Sequence, residues 1–484
     1  MNNSGQITVF MCLLILSLLM AGLTALEIIH MSNGKARSAE AVYGALESVK
    51  ADYNQKLFED YHLLLLDKNY YGYGEGGLEE KLKDYLEYTL NQAGASSEYE
   101  IDETAISAYI GVLDNDCEAL SAQITEYMKI YAEAAAVESL IDLISSGGDA
   151  SEAAEEAVRD GQNEESTEES DWDGDDPRDV LEDTTSAGLL SLVVPAGGTP
   201  SSSSIDTSDM PSKNISDDDD EEADFSFDDV DELSQELGTS NSDCLVGLQE
   251  DMYGIAYVMA FFDYYTCDAD YDNPLECEVE YIIAGKDNDY DNLKSIVNRI
   301  LLHRIAFNFV SLMGDSTRMA EVESIALTLS LIPGVSYGVV KYLLLGCWSY
   351  AETIVEIKSL LAGNGIPYIK TSETWLTDIN NLGNIMNIEN CDYEGVDSID
   401  YKGFLMIFLA EKLDVMYYRI ADVIQLNLRE DDEDFLMEDY ICAFTADFRI
   451  SLSPKYLDFL RGVSGSTLNV SDTYTFTFGV ETNY

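Results

Sequence analysis

The chain has 484 residues, of which 46% are hydrophobic and 10% aromatic, so it can build a sizeable core and is not disordered as a whole. Its 92 acidic residues stand against 26 Lys and Arg, a formal net charge of −66. Phosphate binding needs clustered cations, so this balance excludes nucleic acid as an expected partner. It also argues against docking of the large folded domain onto an anionic membrane surface.

The first distinctive stretch is an uncharged run, ITVFMCLLILSLLMAGLTAL, at residues 7–26. As a helix it is long enough to cross the roughly 30 Å hydrocarbon layer of a bilayer. A helical stripe of apolar residues continues beyond Glu27 at steps of three and four, and Asn33-Gly34 is the one nearby helix breaker. The stripe consists of Ala39, Val42, Leu46, Val49, Tyr53 and Leu57. The pattern predicts a membrane helix that leads into an amphipathic stalk.

Two alternatives compete with a retained anchor. A cleaved signal peptide begins with basic residues and has a shorter apolar region, whereas residues 1–6 lack Lys and Arg and Leu23-Thr24-Ala25 is a poor cleavage site. A buried soluble helix would rarely contain twenty uncharged residues in succession. For orientation, Lys35 and Arg37 favour a cytoplasmic location of the large domain, although long domains are translocated largely regardless of charge.

After the stalk, periodicity predicts helices at residues 78–90 and 116–144 and a strand near residues 107–113. From residue 149 to 236 the chain has 30 acidic residues and only three basic ones, which predicts a disordered acidic linker over residues 145–243. An apolar island at residues 188–195 interrupts the linker. We expect this island to dock onto a folded domain as a strand or clip.

The second folded unit is expected from residue 244 onward. Its predicted helices lie at residues 245–265, 293–313, 325–332, 335–361 and 401–428, and its predicted strands at residues 277–283, 440–452 and 474–480. The last two alternate strictly and should pair antiparallel. The segment 324–348 contains Pro333-Gly334 and Lys341, which favour a buried helical hairpin over a second membrane crossing.

The predicted fold class is therefore α+β and predominantly α-helical, with a small antiparallel sheet. The predicted domains are a short N-terminal tail at 1–6, a transmembrane anchor at 7–26, an amphipathic stalk at 27–66, a first helical part of the ectodomain at 67–144, the acidic linker at 145–243 with its island at 188–195, and a second α+β unit at 244–484.

No catalytic constellation is visible. The three histidines, His30, His62 and His303, are isolated, and neither a Gly-x-Ser-x-Gly motif nor a Cys/His ligand set is present. The eight cysteines form no CxxC pair, and Cys267 and Cys277 are the one closely spaced pair, which leaves a disulfide between them open. We therefore expect no enzymatic activity, no catalytic residue and no cofactor.

A calcium site is the most specific ligand-binding site that the sequence suggests. Asp171, Asp173 and Asp175 alternate and Glu182 falls at the twelfth place, as in an EF-hand-type loop. However, Asp176 replaces the usual glycine and Pro177 follows. Similar alternations occur at residues 268–272 and 287–291, as expected by chance in so acidic a chain. Condensation of cations on the linker is the alternative.

The opening residues Gly5-Gln6-Ile7-Thr8-Val9-Phe10, followed by a leucine-rich run, resemble the start of TadE/TadG-type pseudopilin-like proteins of tight-adherence (Tad) pilus systems. Five further stretches resemble an uncharacterised family of membrane-anchored proteins of Gram-positive anaerobes. These stretches are residues 35–67, 189–195, 278–309, 342–370 and 418–429.

The resemblance implies a single-pass cell-membrane protein with its large domain outside, associated with pilus or secretion proteins. The chain departs from processed pilins because no cation precedes Gly5 and Phe10 stands where they have Glu. An accessory or minor component therefore fits better than a shaft subunit. The alternative is an adhesive surface protein that binds calcium through its acidic tract.

Overall fold

The computed structural model describes residues 4–70, 72, 74, 76–92, 98–131, 176–180, 188–195, 200–215, 248–267, 273–331, 336–368, 370–388, 393, 398–458 and 473–484. The fold is α+β and mostly helical with a small antiparallel sheet, which confirms the predicted fold class. The chain divides into two compact units. Unit 1 comprises Met1–Leu120 and Leu436–Tyr484, and unit 2 comprises Ser121–Phe435.

The helices and strands are numbered here in chain order. The helices are α1 (Ser4–Lys50), α2 (Gln55–Tyr61), α3 (Gly77–Gln92), α4 (Asp114–Tyr131), α5 (Leu189–Val193), α6 (Leu248–Phe261), α7 (Glu278–Ala284), α8 (Asp289–Gly314), α9 (Ser316–Leu329), α10 (Tyr337–Leu361), α11 (Tyr401–Ala410) and α12 (Leu413–Leu428). The strands are β1 (Leu66–Asp67), β2 (Tyr99–Gly111), β3 (Ile366–Pro367), β4 (Ser398–Ile399), β5 (Tyr440–Leu452) and β6 (Tyr474–Asn483).

The predicted anchor and the first part of the stalk form one helix, α1, which runs through Asn33-Gly34 without a break. The prediction that the stalk helix reaches residue 66 is wrong, because α1 ends at Lys50. The side chain of Asn54 accepts the backbone N–H of Leu57 at 3.1 Å and starts the separate helix α2. Asparagine is more favourable at such a capping position than inside a helix. A new helix therefore begins here, although apolar residues continue to recur at helical spacing.

The sheet of unit 1 is built around β5. Strand β2 pairs antiparallel along one side of β5, and β6 and the short β1 pair antiparallel on the other side. The predicted antiparallel pairing of the two C-terminal strands is confirmed. The structure does not divide the chain at residue 244 as predicted. Strands β5 and β6 belong to unit 1, because they complete a sheet with β2 of the N-terminal part.

The core of unit 1 lies between this sheet and helices α1 and α3. Val42, Leu46 and Val49 of the predicted stripe are buried there. Helix α3 contributes Leu78, Leu82, Leu86 and Leu90, and β5 contributes Phe444, Ala446, Phe448 and Ile450. Gly34 allows the close approach of α1, since a Cβ at this position would lie 2.3 Å from a methyl carbon of Leu452.

Unit 2 is a helical assembly in which α10 packs against both α8 and α9. The predicted strand at 277–283 is wrong, because residues 278–284 form helix α7 and Glu278 and Glu280 are as buried as their apolar neighbours. A short apolar run cannot be assigned by alternation alone when both faces are buried. The predicted helix 401–428 is interrupted at Glu411-Lys412, between α11 and α12.

Parts of the predicted disordered linker are ordered on unit 2. Helix α5 packs against α10 and buries Leu190, Leu192 and Val193, so the apolar island docks as predicted, but as a helix. A 3₁₀ turn at Pro211–Asn214 packs against α12, and the backbone N–H of Ser212 donates to Asp422 at 3.0 Å. Disorder is therefore the wrong prediction for these stretches, because their apolar and capping groups find partners on unit 2.

Candidate functional site

The predicted calcium ligands Asp171, Asp173, Asp175 and Glu182 lie outside the described residues, as does the alternation at 268–272. The third alternation is described. There Asp289 accepts the backbone N–H groups of Glu276 and Cys277 at 3.0 and 3.2 Å, and Asp291 accepts the Asn288 side-chain amide. Among the described residues no group of three metal-ligating side chains converges. The calcium site stays a prediction.

Buried charges in unit 2 form the most extensive polar cluster that sequence inspection missed. Arg304 of α8 and Glu356 of α10 are fully buried, and their side chains make a two-pronged ion pair with N–O distances of 2.8 and 2.9 Å. Arg304 also donates to the backbone carbonyl groups of Pro367 and Tyr368. Burial alone would raise the pKa of Glu356, but Arg304 and Lys370 lower it, so this carboxylate is held charged.

A second ion pair joins this cluster. The ammonium of Lys370 lies 2.5 Å from a carboxylate oxygen of Glu352 and 3.3 Å from Glu356. Burial would lower the pKa of Lys370, and the two carboxylates raise it. Glu352 also accepts the backbone N–H groups of Leu376 and Thr377. Because these charges are balanced and hydrogen-bonded within the protein, the cluster fixes residues 366–368 and 370–377 onto α8 and α10 and does not resemble a catalytic centre.

Helix α7 contributes two more buried acids. Glu278 accepts hydrogen bonds from the Asn273 and Asn427 amides, and Glu280 accepts one from the Tyr401 hydroxyl at 2.8 Å. Burial raises the pKa of each carboxyl to about 7. The other carboxyl oxygen of Glu280 is buried without a partner. These groups make the stability of unit 2 sensitive to pH.

The cysteines Cys267 and Cys277, for which the sequence left a disulfide open, are both free thiols. Burial raises the pKa of Cys267 to about 11, so this thiol is protonated and weakly nucleophilic at neutral pH. His303 is half-buried beside Arg304, and loss of hydration lowers its pKa to about 4. Neither environment is that of an activated nucleophile or base.

The most distinctive surface is the first half of α1. Ile7, Leu18 and Leu19 are 63%, 64% and 58% exposed, and no residue of its most apolar 18-residue stretch is buried. By length and composition two described helices could cross a membrane, α1 and α8. For α8 61% of the corresponding stretch is buried in unit 2, so α8 is a core helix. The apolar surface of α1 is therefore unsatisfied within the described chain.

The charged end of this apolar run is bound by a loop of the same unit. Glu27 is only 3% exposed, and its carboxylate accepts the backbone N–H groups of Lys455, Tyr456 and Leu457 at 3.2, 2.6 and 2.9 Å. Burial alone would raise the pKa of Glu27, but these three hydrogen bonds together lower it. One turn further along α1, the His30 ring lies 3.1 Å from the carbonyl oxygen of Ser453. The loop 453–458 is thus fixed at the level where the apolar run ends.

Fold and surface together define an α+β protein with a long, exposed apolar helix at its N-terminal side. The chain belongs to a family of unknown function, DUF5702, whose model matches residues 167–452, more than half of the chain. The matched region covers most of unit 2 and strand β5 and does not include α1. Searches of curated proteins and of solved structures found no match.

Proposed function

We propose that the protein is a non-enzymatic, single-pass membrane protein with its large domain outside the cell. In this proposal it acts as an accessory component of a Tad-like pilus or secretion assembly. The carrying observation is the exposed apolar half of α1, which continues as one helix into the core of unit 1.

The apolar half of α1 has the length and the exposed apolar surface that a membrane-spanning helix needs. Residues 7–26 span about 30 Å as a helix, which equals the hydrocarbon thickness of a bilayer. Contiguous apolar surface of this size is rare on soluble proteins and marks a binding surface for lipid or protein. Because the second half of α1 packs against α3 and the sheet, the helix proposed to cross the membrane continues directly into the core of unit 1.

The assembly role is supported by the resemblance of residues 5–10 and the following leucine-rich run to TadE/TadG-type proteins. The same resemblance supports the outward orientation, whereas Lys35 and Arg37 favour the opposite one.

Cysteine labelling in intact cells with a membrane-impermeant reagent tests the orientation. The parent chain carries Cys12→Ser, which removes an exposed thiol from the apolar run. Ser202→Cys reports on unit 2 because Ser202 is exposed, and Ser4→Cys reports on the other end of the anchor. We expect labelling of Ser202→Cys above the parent level and protection of Ser4→Cys until lysis.

The reverse labelling pattern would place unit 2 in the cytoplasm and overturn the proposed location. Deletion of residues 7–26 provides the companion test, since it should move the protein from the membrane fraction to the soluble fraction. The mass of the mature protein distinguishes a retained anchor from a cleaved signal sequence. Co-purification of pilus or secretion proteins with the full chain tests the assembly role.

The calcium-binding alternative has its own test. A specific site should raise the unfolding temperature at calcium concentrations where magnesium has no effect, and simultaneous substitution of Asp171, Asp173 and Asp175 by Asn should abolish the rise. Equal effects of the two ions would indicate diffuse screening of the acidic tract.

A further inference from the structure

We infer that the loop 453–458 contacts the lipid headgroup region and forms, with α1, the membrane-facing end of unit 1. This inference rests on the proposed membrane anchor and adds to it a defined contact between the folded head and the bilayer.

The loop is bound at the level of α1 where the uncharged run ends. The backbone N–H groups of residues 455–457 bind Glu27, which directly follows the uncharged run. When residues 7–26 fill the hydrocarbon layer, Glu27 lies at its edge, and the bound loop has to lie there too. The headgroup region extends about 5–8 Å beyond that edge, which places the loop inside it.

The surface chemistry of the loop fits this level. Tyr456 is 36% exposed, its ring stands edge-on to His30, and tyrosine is enriched where membranes meet water. The exposed Lys455 pairs with Glu98 at 2.5 Å, so the charge of Glu98 is balanced. Although the chain as a whole is strongly acidic, Glu27 and Glu98 are both engaged by the loop, and Asp458 is the acid that the loop itself exposes.

The other side of α1 supports the same boundary. Ile28 and Ile29 are 57% and 55% exposed, so apolar surface continues for about one turn beyond Glu27 on the side away from the loop. By contrast, Lys35 lies eight residues beyond Glu27, or about 12 Å along the helix, which is past the headgroup region. The lysine at headgroup depth is therefore Lys455 of the loop and not Lys35 of the helix.

Tryptophan quenching by lipids with brominated acyl chains tests the contact. Three variants of the full chain are reconstituted separately in phosphatidylcholine vesicles. Leu19→Trp reports insertion of the run, Tyr456→Trp reports the loop, and Tyr43→Trp is the matched control, since Tyr43 is exposed on α1 about 24 Å beyond Glu27. The wild-type chain supplies the background of its three tryptophans, Trp172, Trp348 and Trp375, the last two of which are buried in unit 2.

We expect the strongest quenching for Leu19→Trp, weaker but clear quenching for Tyr456→Trp, and wild-type quenching for Tyr43→Trp. Quenching of Leu19→Trp with none for Tyr456→Trp would overturn the loop contact and leave the anchor intact. Similar quenching of Tyr456→Trp and Tyr43→Trp would overturn it as well, because the contact would not be local. Absence of quenching for all three would contradict the membrane anchor itself.

Discussion

The two units differ in the chemical character of their cores. In unit 1 the core between α1, α3 and the sheet is apolar, and the carboxylates of Glu27 and Asp52 bind at its periphery. In unit 2 four charged side chains, Arg304, Glu356, Lys370 and Glu352, lie at zero exposure among the helices.

The difference arises from the kind of backbone that each core has to hold. Two layers of regular structure satisfy their own backbone groups, so unit 1 needs only complementary apolar surfaces. In unit 2 residues 366–368 and 370–377 are mostly irregular, and carbonyl and N–H groups among them are satisfied by Arg304, Lys370 and Glu352. Buried charge serves here to fix non-repetitive backbone, at the cost of desolvation.

Breaking the ion pair of unit 2 should have the largest effect. Arg304→Met keeps the length of the side chain but removes its charge, so the negative charge of Glu356 is only partly balanced. We expect a loss of about 3–5 kcal/mol in the free energy of unfolding. Denaturant unfolding followed by the fluorescence of Trp348 and Trp375 measures it. Arg299→Met is the matched control, since Arg299 pairs with Glu411 at the surface and should cost about 1 kcal/mol or less. Equal losses would refute the special role of the buried pair.

The corresponding change in unit 1 removes apolar volume. Leu46→Ala should destabilise unit 1 by about 3 kcal/mol, because the buried side chain leaves a cavity between α1 and the sheet. Hydrogen exchange of the β5 amides reports on this unit and should become faster. Glu47→Ala, at the neighbouring exposed position, should leave exchange almost unchanged. Protection of β5 that survives Leu46→Ala would show that α1 is not needed to stabilise the sheet.

The smallest effect expected is a pH dependence confined to unit 2. The pKa of Glu280 is about 7 in the folded chain against an ordinary value of 4.5, so the folded state holds this proton more tightly. Its stabilising contribution is complete below about pH 4.5 and is lost as pH rises through 7.

Glu280→Gln removes this titration. The free energy of unfolding of the wild type, relative to the variant, should therefore fall by about 2–3 kcal/mol between pH 5 and pH 8. The opposite effect of His303 is common to both chains and cancels. The exposed Glu433→Gln should give a difference that does not vary with pH, and a flat profile for Glu280→Gln would contradict the raised pKa.

Much of the local structure could be predicted from periodicity, because a helix or strand with one buried face repeats its apolar residues regularly. Helix α3, with Leu82, Leu86 and Leu90 on one face, and strands β5 and β6 are examples. Prediction failed where polar groups sit inside apolar patterns. Glu280 in a short run made a buried helix resemble a strand, and Asn54 started a new helix although the apolar period of α1 continued.

The candidate site was predictable only in part. Twenty uncharged residues in succession identify the apolar half of α1 from the sequence alone. The binding of Glu27 by residues 455–457 and the pairing of Arg304 with Glu356 join positions far apart in the chain, and a single sequence has no signal for such contacts. One local feature of the sequence pointed to the contact of Glu27, because Glu27 is the first acidic residue after the uncharged run.

The pairing of β2 with β5 has a consequence for biosynthesis. Gly111 faces Ile441 in the sheet, and the N–H of Val112 donates to the carbonyl of Tyr440, so unit 2 is inserted between two neighbouring strands. As the chain emerges from the ribosome, α1 and α3 are made long before the strand that covers their apolar faces. Unit 2 can fold in the meantime and bring its two ends together, which shortens the loop that β2 and β5 have to close. Helix α1 is therefore synthesised before unit 2 but acquires its contacts with β5 only after unit 2 has been made.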